Sequence, residues 1–193
     1  NGTDTARSHT FVPDARGLRR ISATLQTNRP SSDGIDRPFT YTGGKVVAWK
    51  LSQPDEGWLT LELTWFTKAG VTTTALATAT FASSAAVFDF SQFAVTVGGT
   101  AVNVASWEIS GTWSLSTRAF LGNTILEPLA DGFWEITGTM DAEFTDLTAY
   151  AAFMAGTQAE MIASWTGITI PSSASTYLLQ LTIPVIEYTG STP

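Results

Sequence analysis

The stretch "DGFWEITGTMDAEF", residues 131–144, carries the most regular alternation of apolar and polar side chains in the chain. Its apolar positions are Trp134, Ile136, Met140, Ala142 and Phe144. Its polar positions are Glu135, Thr137, Thr139, Asp141 and Glu143. Successive side chains of a strand point to opposite sides of a sheet, so this pattern predicts a strand with one buried and one solvated face. Gly138 interrupts the apolar positions, which predicts a bend or bulge there.

Three segments share the order tryptophan, charge, aliphatic, hydroxyl: "AWKLS" at 48–52, "ASWEIS" at 105–110 and "FWEIT" at 133–137. In each segment the tryptophan and the aliphatic residue two positions later share a face, while the charge and the hydroxyl point the other way. This arrangement favours core packing on one side of a sheet over a ligand-binding platform.

Most of the remaining chain is also rich in strand-forming residues. Apolar side chains interleaved with Thr and Ser predict strands at 20–27, 41–53, 57–68, 72–78, 93–115, 160–170 and 176–188. Turn residues predict a loop at 28–38, a turn at 54–57 and a hairpin closed by Gly98 and Gly99. Pro184 has no N–H to donate to a neighbour, so the last strand is expected at a sheet edge or with a bulge.

One helix is predicted, at 146–156. Asp146 is a good N-cap, Leu147, Tyr150 and Met154 recur at helical spacing, and Gly156 suits a left-handed stop. The predicted fold is therefore mainly β, an antiparallel β-sandwich or barrel with one flanking α-helix.

Length and composition fit one domain with a sizeable core, since the 193 residues are 44% hydrophobic and 14% charged. The net charge of −7 is unevenly spread. Residues 1–44 contain six arginines and four aspartates, whereas residues 45–193 contain four basic and thirteen acidic side chains. This asymmetry predicts either a mixed solvated surface or a basic arm that lies on the acidic body of another copy.

Several kinds of chemistry are excluded or disfavoured by residue content. The chain has no cysteine and one histidine, His9, so a histidine triad or a zinc site would lack members. Phosphate-loop, nucleophile-elbow and calcium-loop motifs are missing. No apolar run approaches the roughly 18 residues of a membrane span, and no charged-then-apolar stretch is seen, so we expect neither a membrane span nor a signal peptide in this sequence. The acidic body disfavours nucleic-acid recognition.

Two other functions stay open from the residues alone. A glycoside hydrolase would need a pair of facing carboxylates, for which Glu62 with Glu135, or Glu108 with Glu143, are the candidates. A carbohydrate-binding module would need exposed aromatic rings, and its candidates are Trp49, Trp58, Trp107 and Trp113.

Four blocks of sequence together resemble the tail tube proteins of long-tailed bacteriophages. They are "RPFTYTGGKVVAWKLSQ" with "GWLTLELTWF" (37–66), "VGGTAVNVASWEISG" with "FLGN" (97–123), "EPLADGFWEITGTMDAEFTDLTAYAAFMAGT" (127–157) and "YLLQLTIPVIEYTGSTP" (177–193). Their order is that of the family, and they span roughly residues 25–193.

The resemblance implies a structural virion protein of the phage tail, assembled in the host cytoplasm, with no catalytic residue, cofactor, metal or membrane. It implies hexameric rings that stack with each other, and with other tail proteins, into a hollow tube through which DNA passes without specific binding. It also implies an N-terminal arm at 1–24 before a sandwich domain at 25–193. Because family members usually continue beyond both ends of the match, we expect the native chain to be longer.

A tube that guides DNA should have a neutral or acidic lumen, because each phosphate contact made by Lys or Arg adds salt-dependent retention. The lumen-facing candidates are Glu62, Glu135, Thr137, Thr139, Asp141 and Glu143. An ordinary outer surface is the alternative for these side chains. The candidates for contacts between subunits are Arg16, Arg19, Arg20, Arg29 and Arg37.

Overall fold

Two antiparallel sheets face each other in the computed structural model, which describes residues 6–12, 22–80, 87–118, 121, 126–145 and 147–190. Its strands are β1 Ala23–Pro30, β2 Asp36–Gln53, β3 Thr60–Phe66, β4 Phe93–Val97, β5 Thr100–Val102, β6 Val104–Arg118, β7 Leu126–Ala142, β8 Ala159–Thr169 and β9 Thr176–Ile186. The helix α1 is Thr148–Ala155, and a short 3₁₀ helix covers Phe90–Gln92. The predicted mainly β sandwich with a flanking helix is confirmed.

The first sheet has the order β1-β2-β6-β7, and β3 pairs with the other side of β2. The long strand β2 is shared: its N-terminal half pairs with β1, and its C-terminal half lies between β3 and β6. The second sheet has the order β5-β4-β8-β9. All these pairings are antiparallel. Along the chain, each strand either pairs with the preceding strand or lies in the opposite sheet.

The core lies where β6 packs on β4 and β8. Its buried members are Val95, Trp107, Ile109, Met161, Ala163 and Trp165. The Trp107 and Trp165 rings meet edge to face at 5.5 Å, and Phe93 packs on both. Aromatic pairs of this geometry stabilise by about 0.5–1.5 kcal/mol beyond the area that they bury. Inside the core, the indole N–H of Trp165 donates to Oε1 of Gln53 at 3.1 Å.

The three tryptophan segments lie on the adjacent strands β2, β6 and β7. Trp107 and Ile109 of the middle segment are 2% and 3% exposed, as the core interpretation predicts. Trp49 and Trp134 are half-buried and meet edge to face, whereas Ile136 is exposed. Core packing is therefore confirmed at the centre of the sheet and is incomplete at its β7 edge.

Two predicted elements, a loop and a strand, are wrong. The predicted loop 28–38 is mostly a hairpin, because β1 runs to Pro30, β2 begins at Asp36 and Arg29 pairs with Arg37. The predicted strand 72–78 is irregular. Its backbone is held by the side chain of Gln26, which donates to the carbonyl of Ala75 at 3.0 Å and accepts from the N–H of Ala77 at 2.7 Å.

The predicted turn and edge residues have their expected geometry. Gly98 and Gly99 close the β4–β5 hairpin with φ of 57° and 80°. Gly156 ends α1 with φ of 61°. Pro184 lies on the edge strand β9, at a register shift between the pairs Ala159–Ile186 and Met161–Ile183.

Gly138 does not mark the predicted bend, because it pairs with Ile109 in regular register. A Cβ at this position would lie 2.9 Å from the carbonyl oxygen of Glu108. The glycine therefore permits close approach of β6 and β7. The predicted N-cap Asp146 lies outside the described residues, and Leu147 at the helix start makes no side-chain cap.

Candidate assembly surfaces

The outward face of the first sheet is a continuous polar surface across β3, β2, β6 and β7. Directly opposed residues of antiparallel strands lie on the same face, which groups Glu62 with Lys50, Ser110 with Thr137, and Glu108 with Thr139. The same rule joins Thr112 to Glu135 and Ser106 to Asp141. The surface, called here the acidic face, consists of Lys50, Ser52, Thr60, Glu62, Thr64, Ser106, Glu108, Ser110, Thr112, Glu135, Thr137, Thr139 and Asp141.

Charge on the acidic face is unbalanced. Four carboxylates, of Glu62, Glu108, Glu135 and Asp141, accompany one ammonium group, of Lys50. Nζ of Lys50 lies 2.7 Å from Oε2 of Glu108. The hydrogen bond and attraction from Glu108, with a smaller attraction from Glu62, raise the pKa of Lys50 above its ordinary value.

Five of the six lumen candidates therefore lie together on this face, on β3 and β7. Glu143 follows the end of β7, where its Oε2 accepts a hydrogen bond from Nδ2 of Asn103 at 3.1 Å. The sequence interpretation omitted Lys50 and Ser110 from this surface and considered Glu108 only as a catalytic acid. The sequence contained the signal that puts Glu108 and Ser110 on this surface, because they alternate with the apolar Trp107 and Ile109 in the middle segment.

The arginine candidates divide into two groups. Arg29 and Arg37 are exposed and opposite each other in the β1–β2 hairpin, whereas Arg16, Arg19 and Arg20 lie outside the described residues. Arg37 forms a salt bridge of 3.1 Å with Asp33 in the hairpin turn. The guanidinium carbon of Arg29 lies 5.7 Å from the centre of the Phe39 ring.

The hairpin turn is organised around Asp33. Its carboxylate accepts hydrogen bonds from the Ser31 hydroxyl and the Ile35 N–H. These two bonds, followed by the one from Arg37, lower the pKa of Asp33 below its ordinary value. The paired Arg29 and Arg37 are thus accompanied by Asp33 and Asp36, so the hairpin tip is mixed in charge.

The described residues leave many large apolar side chains exposed to solvent. The large apolar side chains that are more than half exposed include Phe133, Phe144, Leu147, Met154, Leu61 and Val185. Patches of this extent mark surfaces that contact other macromolecules.

An open groove separates the edge strands β7 and β9. It has a volume of about 3190 Å³ and is lined by residues of both strands and of α1, with side chains from both faces of β7 and β9. Its apolar wall includes Ile136, Met140, Tyr150, Leu179, Leu181 and Ile183. The two sheets therefore meet closely at β6 and β8 but leave the sandwich interior open beyond them.

Neither glycosidase pair has the required geometry. Glu62 and Glu135 lie on β3 and β7, which are separated by three inter-strand spacings, or roughly 14 Å. Glu108 is opposite Thr139, four residues along β7 from Glu143, or roughly 13 Å. Facing catalytic carboxyl groups lie about 5–9.5 Å apart. Glu108 is also engaged by Lys50.

The tryptophans do not form a stacking platform. Trp107 and Trp113 are each 2% exposed, Trp49 is half-buried, and Trp58 is exposed. The exposed His9 stacks on Phe11 at 6.4 Å.

Within the described ranges, no three His, Cys, Asp or Glu side chains are placed to hold a metal ion. No helix in the same ranges has both the length and the apolar character needed to cross a membrane.

Comparison with known proteins agrees with the resemblance seen in the sequence. No curated protein matches the chain. A family model described as "Phage tail tube protein" matches residues 2–192, which is nearly the whole length. Membership in this family implies that the chain is a component of the virion tail and that it assembles with itself and with other tail proteins. The chain belongs to the phage tail tube protein family and is a structural protein of the phage tail.

Proposed function

We propose that six copies form a ring, that rings stack into a hollow tube in the host cytoplasm, and that the tube conducts DNA during ejection without catalysis. The observation that carries this proposal is the first sheet, in which no described strand pairs with the outer side of β3 or of β7, and whose outward face is acidic. An edge strand in a monomer is a site for unwanted pairing, and a closed ring removes such edges.

Strand direction supports closure by a cyclic operation. Along the path β3-β2-β6-β7 each strand is antiparallel to the next, so β3 and β7 run in opposite directions. A rotation about the ring axis preserves the direction of every strand. The β3 of one copy would therefore meet the β7 of its neighbour in antiparallel orientation, and the first sheets of six copies would form one continuous barrel.

In such a barrel the acidic face lines the lumen, and the second sheet lies outside. Glu62, Glu135 and Asp141 would repel DNA phosphates, while Thr137 and Thr139 present neutral hydroxyls. Glu143, beyond the end of β7, would lie towards a rim of the ring. Like-charge repulsion prevents the salt-dependent retention that basic side chains would cause.

The N-terminal arm at 1–24 and the β1–β2 hairpin are the proposed contacts with neighbouring copies within or between rings. Arg16, Arg19 and Arg20 on the arm, with Arg29 and Arg37 on the hairpin, would face the acidic residues of the sandwich domain at 25–193. Individual exposed ion pairs contribute about 0–1 kcal/mol, so these contacts would select register more than drive assembly.

Electron microscopy of the purified protein tests the proposal. We expect rings with six-fold symmetry and a central pore, or tubes built from such rings, and a matching mass by light scattering. A species that stays monomeric at high concentration would contradict ring formation. A ring whose pore is lined by the second sheet would contradict the assignment of the acidic face.

A further inference from the structure

The first sheet extends beyond the second sheet at its β3 edge. Leu61 is opposite Leu51, and Leu63 is opposite Trp49, so both leucines lie on the interior face of the sheet. Leu51 and Trp49 pack against the core, but Leu61 and Leu63 are 58% and 44% exposed. Two interior-facing leucines at this edge therefore have no covering partner among the described residues.

The opposite edge of the sheet has the complementary defect. Here the interior-facing side chains of β7, including Ile136 and Met140, line the open groove against β9. Ile136 is 50% exposed although it shares a face with Met140, which packs on the core. One edge thus has uncovered apolar side chains, and the other has an open groove with an apolar wall that no described side chain fills.

We propose that Leu61 and Leu63 of one copy cover the open groove of the neighbouring copy and complete its sandwich interior. The inference rests on the proposed ring, and it identifies which apolar side chains close it. When β3 pairs with the β7 edge of a neighbour, the interior faces of the two strands become continuous. Leu61 and Leu63 then lie beside Ile136 and Met140, at the open side of the groove.

A second copy fits the groove better than the chain's own N-terminal segment. Residues 6–12 line part of the groove, yet Phe11 and Val12 remain 89% and 80% exposed, so this segment does not fill it. The antiparallel relation between β3 and β7, and the continuation of the acidic face on the other side of the sheet, both support β3 of another copy as the occupant.

Cross-linking tests the contact directly, because the wild-type chain contains no cysteine. The assembled double variant Leu63→Cys with Ile136→Cys is treated with a short bismaleimide and analysed under denaturing conditions. We expect a ladder of covalent oligomers that ends at the hexamer. The matched control is Thr166→Cys with Ile136→Cys, in which Thr166 is exposed on the outer face of the second sheet, outside the groove lining, and should give no ladder.

A polar substitution provides the second measurement. Leu61→Ser should abolish rings in micrographs while the far-ultraviolet circular dichroism of the monomer is unchanged. Ile168→Ser is the matched control, since Ile168 and Leu61 are 64% and 58% exposed and Ile168 is not part of the groove lining, and it should leave ring formation intact. If Leu61→Ser prevents folding, the cross-linking result decides.

The outcomes separate the two proposals. Wild-type rings without the Leu63→Cys to Ile136→Cys ladder, or rings of normal yield from Leu61→Ser, would overturn this contact and leave the ring proposal standing. Failure of the wild-type protein to form rings would overturn both. An intrachain link in Phe11→Cys with Ile136→Cys, at monomer mobility in assembled rings, would identify the chain's own segment as the occupant and overturn the inference.

Discussion

Nζ of Lys50 lies 2.7 Å from Oε2 of Glu108, and this salt bridge joins the charged positions of two tryptophan segments on neighbouring strands. Glu62 is directly opposite Lys50 on the other side of β2. Lys50 is therefore the one cation of the acidic face and lies between two carboxylates. Without it, the centre of this face would hold only uncompensated negative charge.

Reversing that charge should weaken the sheet in a salt-dependent manner. We expect Lys50→Glu to lower the thermal midpoint at low ionic strength, because three carboxylates would then be adjacent, and added salt should reverse part of the loss. Thermal unfolding followed by circular dichroism at low and high salt measures both effects. Thr182→Glu, which adds an acid to the outer face of the second sheet, is the control. Equal midpoints for the two variants at low salt would contradict this account.

The same salt bridge predicts that the stability of the fold decreases at alkaline pH. The folded state raises the pKa of Lys50 above its value in the unfolded chain, so the stabilisation is complete below the ordinary lysine pKa of 10.5. It is lost as the pH rises through the raised folded-state pKa. Urea unfolding between pH 9 and 11.5 should show a loss of stability that is smaller in Lys50→Gln than in the wild type. Parallel curves for both proteins would exclude the salt bridge as the cause.

Charge reversal on β7 and just beyond its end tests the proposed lumen. We expect Glu135→Lys with Asp141→Lys and Glu143→Lys to assemble but to slow or block DNA release, because the new ammonium groups would bind phosphates. The measurement is triggered DNA release from phage carrying the variant subunit. Thr96→Lys with Thr166→Lys, on the outer face of the second sheet and outside the groove lining, adds charge elsewhere and should release DNA normally. Normal release from the first variant would remove these residues from the lumen.

Side-chain alternation was sufficient to predict most strands, although β2 and β7 begin before the stretches in which it was recognised. It failed at 72–78, where β-branched residues are abundant but no strand among the described residues pairs with them, and Gln26 binds backbone groups there instead. Helical spacing correctly predicted the helix, but Leu147 and Met154 on it are 64% and 66% exposed, because nothing described in the same chain covers them. A pattern within one segment does not report partners that are distant in sequence or in another copy.

The bond between Gln53 and Trp165 is another contact of this kind, because its partners are 112 positions apart. Gln53 is 3% exposed and Trp165 is fully buried. We expect Gln53→Leu to lower the free energy of unfolding by about 1–3 kcal/mol, because the indole N–H would remain buried without an acceptor. Urea denaturation measures the change. The double variant Gln53→Leu with Trp165→Phe should lose less unfolding free energy than the sum of the losses in the two single variants. Strictly additive losses would argue against the hydrogen bond.

The β1–β2 turn should be sensitive to acid. Because the folded turn lowers the pKa of Asp33, its contribution is present above the ordinary value of 3.8 and is lost as the pH falls through the folded-state pKa. Ser31→Ala removes the largest cause and should move the pKa of Asp33 back towards the ordinary value. Carbon-detected NMR titration of the carboxyl group reports this directly, with Ser32→Ala as the control. An unchanged titration in Ser31→Ala would show that the hydroxyl does not hold the carboxylate.

Gly138→Ala tests the close approach of β6 and β7. Elsewhere in a strand alanine would be tolerated or preferred, since it restricts the unfolded chain more than glycine does. Here its Cβ would lie 2.9 Å from the carbonyl oxygen of Glu108, so one strand must shift, at a cost of about 1–3 kcal/mol. The shift would also disturb the face that carries Glu108 and Thr139, so assembly should weaken together with stability.

Gly190→Ala is the matched control, because no atom lies within 4 Å of a Cβ built there. We expect it to change the free energy of unfolding by less than about 0.5 kcal/mol. Urea denaturation of both variants, with ring yield counted in micrographs, measures the two effects together. If Gly138→Ala matched Gly190→Ala in both, the approach of β6 to β7 would not be what requires glycine, and the bend originally inferred from the sequence would have to be reconsidered.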